Sequence, residues 1–400
     1  MTSVLVSGAG IAGPALAHEL GNRGFDVTVV ERAPALREGG SAVDFRGKQT
    51  TLLAKMGILD DVRALQTAMG EQVVIDERGE RVAALPSAFF SGDVEIERGD
   101  LTRILYDKSK DKAEYVFGDW ITALHDDGAG VDVTFASGST RRFDLVVGAD
   151  GTHSGVRALL FGPEERFRKD TGYVLAGFDA PNTFGLDHLG LIYNRPGLGV
   201  LVSSGRNREA VNVGLVMEMA RPDLHHRDTA GQKRLVADAF TGAGWRVPEL
   251  LEHMASVEDL YFDTLCQISL ERWSQGRVVL LGDAAWSAGI GGSGTGLGMI
   301  GAYILAGELA TAPDHHTAFA NYEKMLRPAA AAGQKQAKNA GPFLAPTSAK
   351  KIAQRNKMYK KLTGGPMLRL FTWLSLRAAN KPPLPDYPAA PAASVATKTA

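Results

Sequence analysis

The sequence predicts an α/β protein. A parallel sheet of βαβ units is interrupted by a mostly antiparallel sheet and followed by a C-terminal helix. Three observations predict it. Residues 4–6 are an apolar run ending in glycines, after which Ile11, Ala15, Leu16 and Leu20 recur at helical spacing before a β-rich run at 27–30. That order leaves room only for strand, turn, helix, turn and strand, which makes the two strands parallel. Between 173 and 217, short strand-like runs alternate with turn residues, as in an antiparallel sheet. A buried-strand run at 278–281 and an apolar helix at 299–311 return to the first texture.

The remaining elements follow in order. Residues 73–75 and 94–96 read as short strands. Leu101, Ile104 and Leu105 share a helical face, so 100–112 reads as a helix. Strands are expected at 115–117, 131–135 and 145–147, then at 173–178, 189–193, 200–203 and 211–217. Helices are expected near 229–241 and 248–254. The first unit thus comprises 1–70, 98–172 and 270–330, and the second 71–97 and 173–269. A helical segment, 331–380, and a Pro/Ala-rich tail, 381–400, complete the chain; the tail is expected to be disordered.

Composition narrows the function classes. Lys and Arg number 44 against 45 Asp and Glu, so no overall field gathers nucleic acid, and no nucleic-acid partner is expected. The single cysteine, Cys266, excludes an intramolecular disulfide and a CxxC metal site, and reads as a small buried hydrophobe. The pairs His225–His226 and His315–His316 lie in polar stretches read as loops, and adjacent side chains diverge, so no metal is expected. No basic leader precedes a long apolar run, so the expected location is cytoplasmic. Residues 321–381 carry 13 Lys and Arg against one acid. That segment could form amphipathic helices on a membrane, but helices packed on the body with a solvated basic face are favoured, and a membrane partner is not expected.

Three strand-end turns carry the chemistry. GAGIAG supplies Gly8, Gly10 and Gly13, whose lack of side chains permits a tight turn, approach of a pyrophosphate, and helix–strand packing. With 46 glycines in the chain, roughly 0.6 such patterns arise by chance. GIGGSG and GLGMIG occur further on, but only GAGIAG follows a strand and opens a helix. Glu31 ends the second strand, where a carboxylate accepts hydrogen bonds from ribose hydroxyls; Arg32 adjoins it. The second turn is GADGTHSGVR, with Asp150 and Arg157. The third is GDAAW, with Gly282, Asp283 and Trp286, followed by a glycine-rich loop containing Gly294.

With these motifs the chain resembles the FAD-dependent aromatic hydroxylases, single-component flavoprotein monooxygenases built like p-hydroxybenzoate hydroxylase. The resemblance covers about residues 1–330. It implies that the first unit is a Rossmann-like FAD-binding domain and the second a substrate domain. Gly8, Gly10, Ala12, Gly13, Glu31 and Arg32 would bind the ADP moiety. Asp150 and Arg157 would support flavin and pyridine nucleotide, and Gly282, Asp283 and Gly294 would meet the flavin's sugar chain. GGSAVDFRG, with Asp44 and Arg46, and EIERGDLTRIL, with Arg98, are similar to flavin-contacting stretches of the tetracycline-inactivating and polyketide-tailoring subgroup. A guanidinium suits phosphate or flavin oxygens through its planar fork. Arg37 is a looser match for the nicotinamide cofactor.

The implied reaction is reduction of FAD by NADPH or NADH, then transfer of one oxygen atom from O2 to an aromatic or polyketide-like molecule through a flavin C4a-hydroperoxide. The resemblance assigns no catalytic side chain. Trp286, Tyr193 and Leu215 are substrate-pocket candidates, with Val174, Leu191 and Met217 beside them; alternation turns about half of such residues the other way. Two departures stand out. Trp286 replaces the usual His or Tyr after GDAA, and no proline lies between Ala284 and Ala312, where the family places one or two beside the flavin. A flavin reductase or non-hydroxylating scaffold of this fold therefore stays open. A membrane-peripheral epoxidase or prenyl reductase stays open through the basic C-terminal segment. A plain NAD-dependent dehydrogenase would leave GADG and GDAA idle, and the WxWxIP signature of flavin halogenases is absent.

Overall fold

The computed structural model describes residues 1–37, 39–87, 91–224, 228–362 and 365–388. Among them the strands form four sheets. The six-stranded sheet runs Ser274–Gln275, Val278–Leu280, Leu145–Gly148, Ser3–Ser7, Asp26–Glu31, Ala113–Phe117. Every pairing in it is parallel except the first. Its strands are near-continuous apolar runs because both faces are covered. Val4, Leu5, Val6, Val146, Val147 and Val279 are wholly buried.

Helix Gly294–Thr311 lies against helix Ala12–Gly21 on one side and His315–Ala337 on the other. Being buried on nearly all sides, it is apolar all round rather than amphipathic. Helix Arg98–Ser109 begins at the arginine rather than at Asp100. Helices Lys48–Lys55 and Leu59–Ala64 were not legible in the sequence, whereas Gly155–Phe161 is the helix towards which the chain turns after Asp150-Gly151. Strands Val94–Ile96 and Val43–Phe45 pair with each other against the first unit's core, whereas 72–85 joins the second unit's sheet.

That second sheet has seven strands, in the order Tyr261–Ile268, Arg168–Pro181, Ala210–Glu218, Leu198–Ser204, Leu189–Arg195, Gln72–Ile75, Arg81–Leu85. Only Leu189–Arg195 and Gln72–Ile75 run parallel. Period-2 alternation divides its two faces. One face, including Val174, Phe178, Val202, Val213 and Leu215, packs against Val236, Phe240, Leu250 and Met254 of helices Thr229–Ala239 and Val247–Ser256 and their ends. On the other, Ile192 meets Tyr359 and Val216 meets Ala345.

The expected C-terminal helix is four helices among the described residues: His315–Ala337, Ala340–Leu344, Ala349–Leu362 and Gly365–Ala379. The tail needs correction. Residues 389–400 lie outside the described residues, but 381–388 form a strap across the first unit. Tyr387 donates to Glu308 Oε1 at 2.7 Å, and Tyr303 donates to the Pro385 carbonyl at 3.0 Å. Lys55 pairs with Asp386, and Asn380 Oδ1 accepts from the Lys48 amide at 3.0 Å. A Pro/Ala-rich composition suggested disorder, but two tyrosines and two lysines supply specific anchors.

Gly307 makes room for this strap: a Cβ there would lie 2.2 Å from Tyr387 Cδ2. In an ordinary helix interior, Gly→Ala stabilises by about 1 kcal/mol. Here Gly307→Ala is expected to reverse that sign, lowering the thermal midpoint and opening 381–388 to limited proteolysis. A raised midpoint with an intact tail would show that the strap does not seat.

Candidate active site

The carboxyl ends of Ser3–Ser7, Asp26–Glu31, Leu145–Gly148 and Val278–Leu280 open on one edge of the parallel sheet. Strand order reverses at Ser3–Ser7, with Asp26–Glu31 on one side and Leu145–Gly148 on the other. Open α/β sheets bind ligands at such a switch point. A Cβ at Gly13 would stand 1.9 Å from the Gly8 carbonyl oxygen, and one at Gly8 2.6 Å from the Ala149 carbonyl. At Gly10 a Cβ would meet nothing within 4 Å. The first two glycines are thus needed by the fold, whereas the third borders open space. Glu31 turns back over this turn, accepting from the Ala9 amide at 2.7 Å and the Ala33 amide at 2.8 Å. Arg32 lies over the Trp120 ring, 5.6 Å from its centroid.

The third turn meets the first. A Cβ at Gly282 would touch the Ala12 Cβ at 3.4 Å, and Asp283 Oδ1 would lie 3.4 Å from a Cβ at Gly294. Burial pushes the Asp283 carboxyl above its ordinary range, while the Arg98 charge opposes. Asp283 nevertheless keeps part of its surface open and, among the described residues, has no hydrogen-bond partner. A carboxylate surrounded by protein yet unsatisfied fits a ligand that offers it hydroxyl groups. Together with the space at Gly10, it makes these turns a match for FAD, whose pyrophosphate and ribityl hydroxyls need such groups.

Asp150 looks alike in sequence but is satisfied locally. Burial raises its pKa, opposed by the Ser154 hydroxyl and by the Val156 amide, which donates at 3.1 Å. Arg157 is a correction to the expected cofactor contact. It is 1% exposed, and its guanidinium donates to the Ala284 carbonyl at 3.1 Å, the Thr152 carbonyl at 2.6 Å and Glu164 at 2.8 Å. It therefore ties the second turn to the third rather than facing the crevice.

On the opposite wall, Arg46 Nε pairs with Asp44 at 2.7 Å, and Gly47 turns with φ of 54° into helix Lys48–Lys55. Arg98 is exposed at the start of its helix, with its side chain 3.5 Å from a Cβ at Gly40. Arg37 is exposed in the same segment.

The three substrate-pocket candidates fall elsewhere. Trp286 is 2% exposed, its ring 4.4 Å from that of Trp273 and 6.0 Å from that of Tyr322. It is a core aromatic. Tyr193 and Leu215, with Val174, Leu191 and Met217, sit on the sheet face covered by the two helices, so they point away from the crevice. Cys266 is buried, which pushes its thiol up to about 12. His315 and His316 begin a helix rather than lying in a loop, and His225 and His226 lie outside the described residues. Among the described residues, no three His, Cys, Asp or Glu side chains form a candidate metal site, and no helix is long and apolar enough to cross a membrane.

Sequence reasoning missed a charged bridge between the two units. His153, beside Asp150, meets Asp263 Oδ2 and Glu164 at 3.1 Å each. Asp263 belongs to the edge strand Tyr261–Ile268 of the second sheet. Only the THS of the second motif hinted at His153, since its partners lie 11 and 110 residues away. Hydrogen bonds to Asp263 and Glu164 raise His153 to about 9. Burial opposes ionisation of Glu164, but His153 and Arg168 hydrogen bonds hold it down at about 2.

The pH dependence follows. A raised histidine contributes stability fully below its ordinary 6.5 and loses it as pH rises through about 9. A depressed glutamate contributes above its ordinary 4.5 and loses it as pH falls towards about 2. The thermal midpoint of His153→Gln is expected to fall below wild type most clearly near pH 5–6, with the gap closing above about pH 9. A pH-independent gap would contradict the bridge.

Comparison with known proteins agrees with this architecture. The family model for the FAD binding domain matches residues 1–334. An uncharacterized protein of Mycobacterium tuberculosis is 40% identical over 330 residues, covering 80% of this chain and 89% of its own. A flavin-dependent monooxygenase of Legionella longbeachae is 34% identical over 338 residues, covering 83% and 87%. The crystal structure of tetracycline destructase Tet(51) superposes with a TM-score of 0.83 at 31% identity, over 97% of this chain and 100% of that one. The chain belongs to the FAD-binding monooxygenases built like p-hydroxybenzoate hydroxylase, and is related to the tetracycline destructases.

Proposed function

We propose that this FAD-dependent monooxygenase inserts one oxygen atom of O2 into an aromatic or polyketide-like molecule, drawing electrons from NADPH or NADH. The observation that carries the assignment is the partly open Asp283, without a hydrogen-bond partner among the described residues, on a turn that meets the first turn at Ala12, where Gly10 borders open space. Bound FAD supplies the redox and oxygen-activating chemistry. In this reading the chain binds, orients and excludes water. Gly8, Gly10 and Gly13, with the first turn of helix Ala12–Gly21, receive the pyrophosphate on backbone N–H groups and the positive end of the helix. Glu31 accepts ribose hydroxyls, with Arg32 beside it. Arg46 and Arg98 offer forked donors to phosphate or flavin oxygens. Asp283 accepts from the ribityl chain, and Gly294 keeps the space beside its carboxylate. Asp150 and Arg157 act at one remove, by fixing the second turn.

One observation favours a second reading, a flavoprotein that reduces or holds its substrate without oxygenating it. The loop 287–293 has no proline and turns through positive φ at Gly289, Gly291 and Ser293. The experiment is NADPH consumption by FAD-loaded protein in air, across phenols, tetracyclines, rifamycins and anthracyclines, with product masses. Stimulated oxidation with a product heavier by one oxygen supports the monooxygenase reading. Substrate-indifferent oxidation across the panel favours the second.

The cofactor residues are tested separately. Gly10→Ala adds a methyl group to open space, so the flavin-free protein should keep its stability within about 0.5 kcal/mol. Its FAD affinity should fall at least tenfold in a fluorescence titration. Asp283→Asn should fold and purify nearly colourless. Unchanged FAD affinity in both would remove the flavin from these turns.

A further inference from the structure

The last two helices present an outward face that is apolar as well as basic. Helix Ala349–Leu362 is seated through one side. Tyr359 packs on Ile192 of the second sheet, and Arg355 donates to Asn194 Oδ1 at 2.6 Å and to the Phe343 carbonyl at 2.7 Å. On helix Gly365–Ala379, Leu368, Thr372 and Leu376 recur every four residues as a half-buried row. Its other side carries Met367, Leu370, Trp373 and Leu374, each between 47% and 53% exposed. At 3.6 residues per turn these four form one stripe, about a third of the helix's circumference. Met358 is exposed on the neighbouring helix. A solvated basic face was favoured from the sequence, but on helix Gly365–Ala379 the exposed side is largely apolar.

Charge surrounds the stripe. Residues 349–381 hold nine Lys and Arg and no Asp or Glu. Lys350, Lys351, Lys357, Lys361, Arg369 and Arg377 are exposed, and among the described residues none of them pairs with a carboxylate. Arg377 lies over the Trp373 ring, 5.3 Å from its centroid.

We infer that this face docks the enzyme on a membrane surface of anionic phospholipid, with the stripe in the boundary between headgroups and acyl chains and the cations on lipid phosphates. The helix lies on the bilayer rather than crossing it. It has 15 residues, and no helix among the described residues is long and apolar enough to span. Trp373 suits that boundary, because its ring is apolar while its N–H is a donor. Lysine and arginine stems lie along apolar surface while their charged ends reach phosphate.

Charge also decides between occupants. A second copy of the chain would set nine uncompensated cations against nine more. A neutral bilayer would cover the stripe and leave the cations without partners. The body itself does not cover it, because the end of the helix is fixed. Asn380 Oδ1 accepts from the Lys48 amide at 3.0 Å, and Lys48 Nζ donates to the Pro382 carbonyl at 3.0 Å. Docking is independent of which reaction the flavin site performs.

The test sediments FAD-loaded, full-length protein with phosphatidylcholine vesicles, with and without about one third phosphatidylglycerol. Wild type should bind the anionic vesicles about tenfold or more tightly than the neutral ones, and lose that advantage near 0.5 M salt, roughly, where charge is screened. Two variants separate the contributions. Leu370→Ser with Trp373→Ser removes the stripe, and Lys350→Gln with Lys357→Gln and Lys361→Gln removes charge. Each should weaken anionic binding about tenfold while keeping FAD stoichiometry and the thermal midpoint, since all five side chains are exposed. Failure of wild type to bind anionic vesicles would overturn the docking, as would equal binding to both kinds of vesicle. Wild-type binding by the double serine variant would overturn the stripe's part. Loss of FAD or a lower midpoint in that variant would overturn it by making the row part of the body's packing. A lipid-free dimer of wild type that the double serine variant turns into a monomer would assign the face to a second copy instead.

Discussion

The first helix starts where it does because Gly13 lets its backbone rest on the Gly8 carbonyl, where a Cβ would stand 1.9 Å away. Any side chain there would push the helix off the strand. The contact sets more than one turn. It brings Ala12 against Gly282 and Gly298, which positions the turn carrying Asp283 some 270 residues later in the chain. Gly282 has φ of 64°, a conformation that favours glycine, and this turns Asp283 towards the start of helix Gly294–Thr311. Two distant motifs thus form one site because two backbones approach more closely than side chains allow.

Within that site, two aspartates with the same sequence signature do different work. Each follows a parallel strand beside a glycine, and burial raises the pKa of each. Ser154 and the Val156 amide satisfy Asp150, which thereby holds a helix start. Nothing among the described residues satisfies Asp283. Its carboxylate keeps part of its surface open at the edge of the crevice, so it is free to accept hydrogen bonds from a ligand there. Arg157 shows the converse. A motif arginine that looks like a ligand contact spends Nη1 and Nη2 on the Ala284 and Thr152 carbonyls and on Glu164, and its Nε is buried without a partner among the described residues.

Much of the fold was legible because its signals are local. Apolar runs bounded by glycine marked the parallel strands, and turn-punctuated runs marked the second sheet. The edge strand Tyr261–Ile268 was not legible, since Asp263, Thr264 and Gln267 break its apolar pattern. Nor could the pattern tell which sheet face meets helices. Tyr193 and Leu215 point to the side covered by the two helices, a choice that alternation alone leaves open. The Arg157 ties and the His153 bridge depend on partners that only the folded chain brings together. The local parts of the site, its glycines and strand-end acids, were readable, whereas the parts assembled across the two units were not.

The loop after Trp286 shows how one local rule can be replaced by another. The prolines that the family resemblance leads one to expect here would limit backbone freedom, and this chain has none between Ala284 and Ala312. Its substitutes are hydrogen bonds from outside the loop. Gln267 Nε2 donates to the Ala288 carbonyl at 3.1 Å, and the Ile268 amide donates to the Ser287 carbonyl at 3.0 Å. Gln334 Nε2 binds the Ile268 carbonyl at 2.6 Å, while Gln267 also reaches the Gln334 carbonyl at 2.6 Å. Each bond contributes about 1 kcal/mol net, comparable to what one well-placed proline contributes. The loop is thus held between the second sheet and helix His315–Ala337. Those two elements, rather than the loop's own residues, fix the path of the chain past Asp283, while Trp286 packs in the core against Trp273.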